Sequence, residues 1–77
     1  MKRIQVLGPG CARCAKLKEN ADKAVEELGI EATVDKIEDI NAITGFGVMM
    51  TPALAIDGEV QTVGKVPSAD EIKVLLQ

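Results

Sequence analysis

A chain of 77 residues, 47% hydrophobic and 27% charged, is expected to hold a single domain over residues 1–77, with no room for a second that carries a separate cofactor. Nine basic against twelve acidic residues leave a net charge of −3, and Phe46 is the one aromatic residue, so both the basic face and the stacking platform of a nucleic-acid binder are missing. The lack of histidine removes Ser-His and Cys-His catalysis and most catalytic zinc sites, which leaves Cys11 and Cys14 as the chemistry to explain.

In chain order, Ile4-Gln5-Val6-Leu7 is a short β-prone run stopped by the turn signal Gly8-Pro9-Gly10. Cys14, Leu17, Ala21, Ala24, Val25 and Leu28 then recur at helical spacing, with Lys and Glu on the other faces and Gly29 at the C-cap position. Ile30, Ala32 and Val34 alternate with polar residues and predict a strand over 30–36. Ile37 to Thr44 predicts a short helix, with Ile40 and Ile43 three apart on its apolar side. Ala53-Leu54-Ala55-Ile56 reads as a buried strand, Asp57-Gly58 as a hairpin turn and Glu59 to Val63 as the returning strand. Ser68 followed by Glu71 is a capping box that opens a last helix, Ser68 to Leu76, with Ile72, Leu75 and Leu76 facing inward. The order β-α-β-α-β-β-α implies parallel pairing through a right-handed crossover, with helices packed on the sheet.

The opening segment has too short an apolar run for a signal peptide, and the longest uncharged run, Ile40 to Ile56, contains Pro52 and two glycines, so no membrane span is expected. The expected location is the cytoplasm, acting as a monomer. Thiols stay reduced there, so a close cysteine pair reads as catalytic, redox-sensing or metal-binding and not as a structural staple.

Cys11-Ala12-Arg13-Cys14 is a C-x-x-C set between a strand and the first turn of a helix. Residues three apart on a helix are neighbours, so the two sulfurs can close a disulfide across one turn. Unpaired backbone N–H groups and the helix dipole favour a thiolate at Cys11, and Arg13 adds a positive charge that tunes its pKa. Cys14 shares the apolar stripe with Leu17 and Ala21. Cys11 is therefore expected to be the exposed attacker and Cys14 the sheltered resolver. Two other readings of the pair stand beside this one. Four-ligand zinc or iron–sulfur binding needs an intermolecular site, since the chain supplies two cysteines and no histidine. Simple core filling suits Cys14 but not Cys11, which follows Gly-Pro-Gly at a helix start.

With this motif after the first strand, and with Phe46-Gly47-Val48-Met49-Met50-Thr51-Pro52-Ala53-Leu54 leading into the hairpin, the chain resembles the thioredoxin superfamily in its small, glutaredoxin-like form. The resemblance covers nearly the whole chain. It implies an α/β thioredoxin-like fold, a four-stranded mixed sheet with helices on both faces. It implies a redox-active Cys11–Cys14 disulfide, and a cis-proline loop at Thr51-Pro52 that lies against that disulfide and offers backbone groups to an extended substrate. The implied partners are protein disulfides and a flavin-dependent thioredoxin-type reductase; no bound cofactor and no resident metal are expected. Met50, with Met49, either shapes an apolar substrate groove or fills the core, and Phe46 is expected to anchor the core.

Departures from the family pattern are specific. The inner dipeptide is Ala-Arg, neither Gly-Pro nor Pro-Tyr, and Gly10 replaces the tryptophan that usually precedes a thioredoxin's first cysteine. Gln5 stands where thioredoxins bury an aspartate, although Lys36 falls near the lysine that accompanies it. Gly64-Lys65 keeps one of the paired glycines with which glutaredoxins hold glutathione. The rival expectation is a Cu(I)- or zinc-binding C-x-x-C module or chaperone. Copper chaperones of that kind end in a strand, whereas this chain ends in a capped helix.

Overall fold

The computed structural model describes residues 2–10 and 12–77. The elements follow in the expected order: β1 (Lys2–Leu7), α1 (Ala12–Leu28), β2 (Ala32–Ile37), α2 (Ile40–Gly45), β3 (Ala53–Ile56), β4 (Glu59–Val63) and α3 (Ala69–Leu76). The strands form one mixed sheet in the order β2-β1-β3-β4. β1 runs parallel to β2, from Lys2 opposite Ala32 to Leu7 opposite Ile37, and antiparallel to β3, with Val6 opposite Leu54. The parallel pair requires a crossover, and α1 supplies it. The antiparallel pair β3–β4 needs only Asp57 and Gly58, whose φ values of 52° and 85° are those of a two-residue type I′ turn.

Strand alternation divides the core in two. Ile4 and Val6 of β1, with Leu54 and Ile56 of β3, pack against Leu17, Ala21 and Ala24 of α1 and Ile72 and Leu76 of α3. On the opposite face Leu7, Ala53 and Ala55 pack against Ile43 of α2 and Val48, with Phe46 against the same cluster. β3 is buried on both faces, which is why its sequence shows no polar alternation. Helices cover both sides of the sheet, and the architecture is the thioredoxin-like α/β fold. Helix ends follow their local chemistry. Gly29, at φ 63°, donates its N–H to Val25 O to close α1, and the reciprocal Ser68–Glu71 capping box opens α3.

Two boundaries differ from the sequence expectation. The strand predicted over 30–36 runs instead from Ala32 to Ile37, because Ile37 completes the parallel register opposite Leu7. The helix predicted from Ile37 consequently starts at Ile40, with Asp39 as N-cap accepting the Asn41 N–H at 3.1 Å. Ile40 is then carried outward and is 61% exposed, so Ile43 alone anchors α2. Among the described residues, no helix is long and apolar enough to cross a membrane.

Candidate functional site

β1 delivers the chain to the site and α1 leads away from it. Between them Gly8-Pro9-Gly10 makes the turn, with Gly10 at φ 92°, a left-handed conformation that favours glycine. Cys11, and with it the expected Cys11–Cys14 disulfide, lies outside the described residues. Cys14 sits in the first turn of α1 and is only 1% exposed. Gly8 makes this placement sterically feasible. A Cβ on Gly8 would overlap the Cys14 sulfur, and it would come within 3.3 Å of Cys14 Cβ and 3.8 Å of Thr51 Cβ. The end of β1, the buried cysteine and the loop before β3 thus converge on one point.

That loop carries Thr51-Pro52, joined by a cis peptide bond. Pro52 is buried and Thr51 half-buried, immediately before the buried run of β3. Proline has no N–H to give a sheet ladder, which suits it to the residue before a strand begins. Pro52 O accepts the Gly64 N–H at 2.8 Å, and Gly64 O accepts Arg13 Nη2 at 2.9 Å. Gly64 itself is at φ 69°, and a Cβ there would lie 3.3 Å from Met50 Cε. One glycine therefore joins the motif helix, the Pro52 loop and the Met50 side chain. Met49 and Met50 are 95% and 62% exposed, so neither fills the core; both project as polarisable apolar surface beside Thr51.

The structure brings Arg13, Cys14, Met50, Thr51 and Pro52 into one neighbourhood. It gives Arg13 an additional task, since its guanidinium is bonded to the Gly64 carbonyl across the site. Gln5 is half-buried in β1 between Asp35 and Ala55. Lys36 holds its Nζ 3.9 Å from Glu38 Oε1. Three participants escape the sequence reading in these roles: Gly8, Gly64 as a hub, and Glu38, whose Oε2 stands 3.4 Å from where a Cβ on Gly10 would be. The Gly-Pro-Gly turn before the motif is a signal for Gly8. Nothing local signals Glu38, whose approach to Gly10 follows from the parallel β1–β2 pairing. Among the described residues, no three of His, Cys, Asp and Glu gather as a metal-binding group.

The sequence pattern of the family described as "Thioredoxin domain" matches residues 2–77. A protein of Methanothermobacter thermautotrophicus named "Thioredoxin" is 46% identical over 76 residues, covering 99% of each chain. A "Thioredoxin" of Methanocaldococcus jannaschii is also 46% identical, over 70 residues, covering 91% of this chain and 80% of that one. A "Probable Thioredoxin" of Methanothermobacter thermautotrophicus is 37% identical over 67 residues, covering 83% and 78%.

Proposed function

Because the chain belongs to the thioredoxin family, a family of thiol–disulfide oxidoreductases, we propose that it reduces protein disulfides by a dithiol mechanism in which Cys11 attacks and Cys14 resolves. The observation that carries this reading is the burial of Cys14 in the first turn of α1, against Gly8, three positions after Cys11. A buried thiol is a poor first attacker and a well-placed second one.

In the first step the Cys11 thiolate attacks one sulfur of a substrate disulfide. A Cys11–substrate disulfide forms, and the other substrate sulfur leaves as a thiolate that takes up a proton. Cys14 then loses its proton and attacks the Cys11 sulfur. The Cys11–Cys14 disulfide forms, and the second substrate thiolate departs and is protonated. Two electrons and two protons have passed to the substrate. A flavin-dependent thioredoxin-type reductase returns two electrons to the Cys11–Cys14 disulfide, and a reducing compartment such as the cytoplasm suits this cycle. Thr51 offers backbone groups to an extended substrate strand, and Met50 offers adaptable apolar contact beside it.

The test is a pair of single-cysteine variants assayed with insulin disulfides. Cys11→Ser is expected to abolish exchange, whereas Cys14→Ser is expected to stop after one step and accumulate a mixed disulfide at Cys11, seen by mass spectrometry. A mixed disulfide trapped by Cys11→Ser and not by Cys14→Ser would reverse the roles. Activity retained by both variants would remove the dithiol mechanism.

A further inference from the structure

We propose that Arg13 is a positioning residue for substrate docking: its hold on the Gly64 carbonyl fixes the Met50-Thr51-Pro52 segment against the helix that carries Cys14, and so favours protein disulfides over small ones. The inference deepens the disulfide-reductase reading and rests on it. Arg13 is the second residue of α1 and donates from Nη2 to Gly64 O at 2.9 Å, 51 positions away. Gly64 follows β4, and its own N–H donates to Pro52 O at 2.8 Å. Met50 packs where a side chain on Gly64 would lie, since a Cβ there would stand 3.3 Å from Met50 Cε and 3.6 Å from Met50 Cβ. Met50 therefore rests on Gly64, Pro52 is bonded to it, and Arg13 holds it from α1.

Proline is the reason this carbonyl needs such a donor. Pairing of β3 with β4 reaches Ala53 opposite Val63, and the Gly64–Pro52 bond continues the ladder by one step. Two residues in a hydrogen-bonded antiparallel pair exchange two bonds, but Pro52 has no N–H with which to return the second. Arg13 supplies the missing donor to Gly64 O. Among the described residues no carboxylate lies within ion-pair distance of Arg13, so this carbonyl orients the guanidinium. The bond is charge-assisted, and the planar fork gives it direction. An extended substrate that pairs with the Thr51 backbone binds better when that segment is already held in place. A small disulfide makes no such pairing and gains nothing from the clasp.

The experiment measures kcat/KM for insulin and for hydroxyethyl disulfide, a small neutral substrate, in the parent, Arg13→Met, Gly64→Ala and the double variant. Any effect of the lost charge on thiol reactivity is shared by both substrates and cancels in the ratio. Arg13→Met is expected to lower the insulin-to-small-disulfide ratio roughly three- to tenfold, the size of effect one hydrogen bond carries, through a raised KM for insulin. Gly64→Ala is expected to lower the same ratio, and the double variant to fall short of the product of the single effects, because both act on one contact. The Gly64 amide, followed by NMR hydrogen exchange, is expected to exchange faster in Arg13→Met than in the parent, whatever the turnover. An unchanged ratio would overturn the proposal. So would a lowered ratio with unchanged Gly64 exchange, which would make Arg13 a direct substrate contact. Failure of the underlying reading looks different: the parent would then reduce neither disulfide, while the Gly64 amide still responded to Arg13→Met.

Discussion

Asp57 is the non-glycine residue held at positive φ, 52°, among those described, and its side chain repays the conformation locally. Its Oδ1 accepts the Arg3 N–H at 2.9 Å, its own N–H donates to Arg3 O at 2.7 Å, and Lys2 Nζ lies 3.6 Å from Oδ2. The Arg3 backbone bond foremost holds its carboxyl below the ordinary aspartate value of 3.8; desolvation, next in size, opposes it, and the Lys2 charge adds to the lowering. A depressed carboxyl stabilises the fold above its unfolded pKa, and that contribution disappears as pH falls through the folded value. Asp57→Asn keeps the turn conformation and loses the charge. Its unfolding free energy is therefore expected to lie below the parent's at neutral pH, with the gap closing under acid, as read by urea denaturation from pH 7 to pH 2. Gly8 matters for a different reason, the space its missing side chain leaves. Gly8→Ala drives a methyl into the Cys14 sulfur, and is expected to cost about 1–3 kcal/mol and to slow resolution of the mixed disulfide, read by denaturation and by single-turnover exchange.

The helices owe their ends to identifiable groups, and α3 is the clearest case. Ser68 Oγ accepts the Glu71 N–H at 3.2 Å, and Glu71 Oε1 accepts the Ser68 N–H at 3.2 Å. Beyond the cap, Lys73 Nζ lies 2.7 Å from Glu27 Oε1 of α1 and 3.1 Å from Asp70 Oδ1, and these bonds raise its pKa above the ordinary lysine value. Ser68→Ala is expected to cost about 1 kcal/mol by leaving the Glu71 N–H without its side-chain acceptor. Ile72→Ala, which opens a cavity among Leu17, Ala24 and Leu54, is expected to cost about 2–5 kcal/mol. Thermal unfolding of the two variants should rank them in that order. The cap and the buried stripe of α3 were both legible in the sequence, because each depends on residues within one or two turns. The start of α2 was not, because the register of Ile37 against Leu7 involves two strands thirty residues apart, which no local periodicity reports.

Taken whole, the molecule is one sheet between two apolar clusters, and its stability has sources that require no metal. Buried aliphatic residues on both faces of β3, the type I′ hairpin and the capped helices all act without one. Cooperative unfolding by urea is accordingly expected to keep its midpoint in a reducing buffer with chelator. A chelator-induced loss of cooperativity would favour the C-x-x-C metal module instead. The site is built by the same assembly. Cys14 comes from α1, Thr51 and Pro52 from the loop before β3, and Gly64 from the loop after β4, all at the end of the sheet where β1 stops.

Chain order, strand and helix character, the hairpin, the caps and the chemistry of a C-x-x-C at a helix start were all present in the linear sequence. Each arises from short-range sterics, hydrophobic period or covalent neighbourhood, which the order of residues specifies directly. The contacts that turn those parts into a site were decided in three dimensions. Arg13 reaches Gly64 across 51 positions, Cys14 needs the missing Cβ of Gly8, and Glu38 meets Gly10 because parallel pairing folds β2 back alongside β1. Long-range pairing depends on the packing of the whole core and on which loop each strand end happens to face, and neither leaves a period in the sequence.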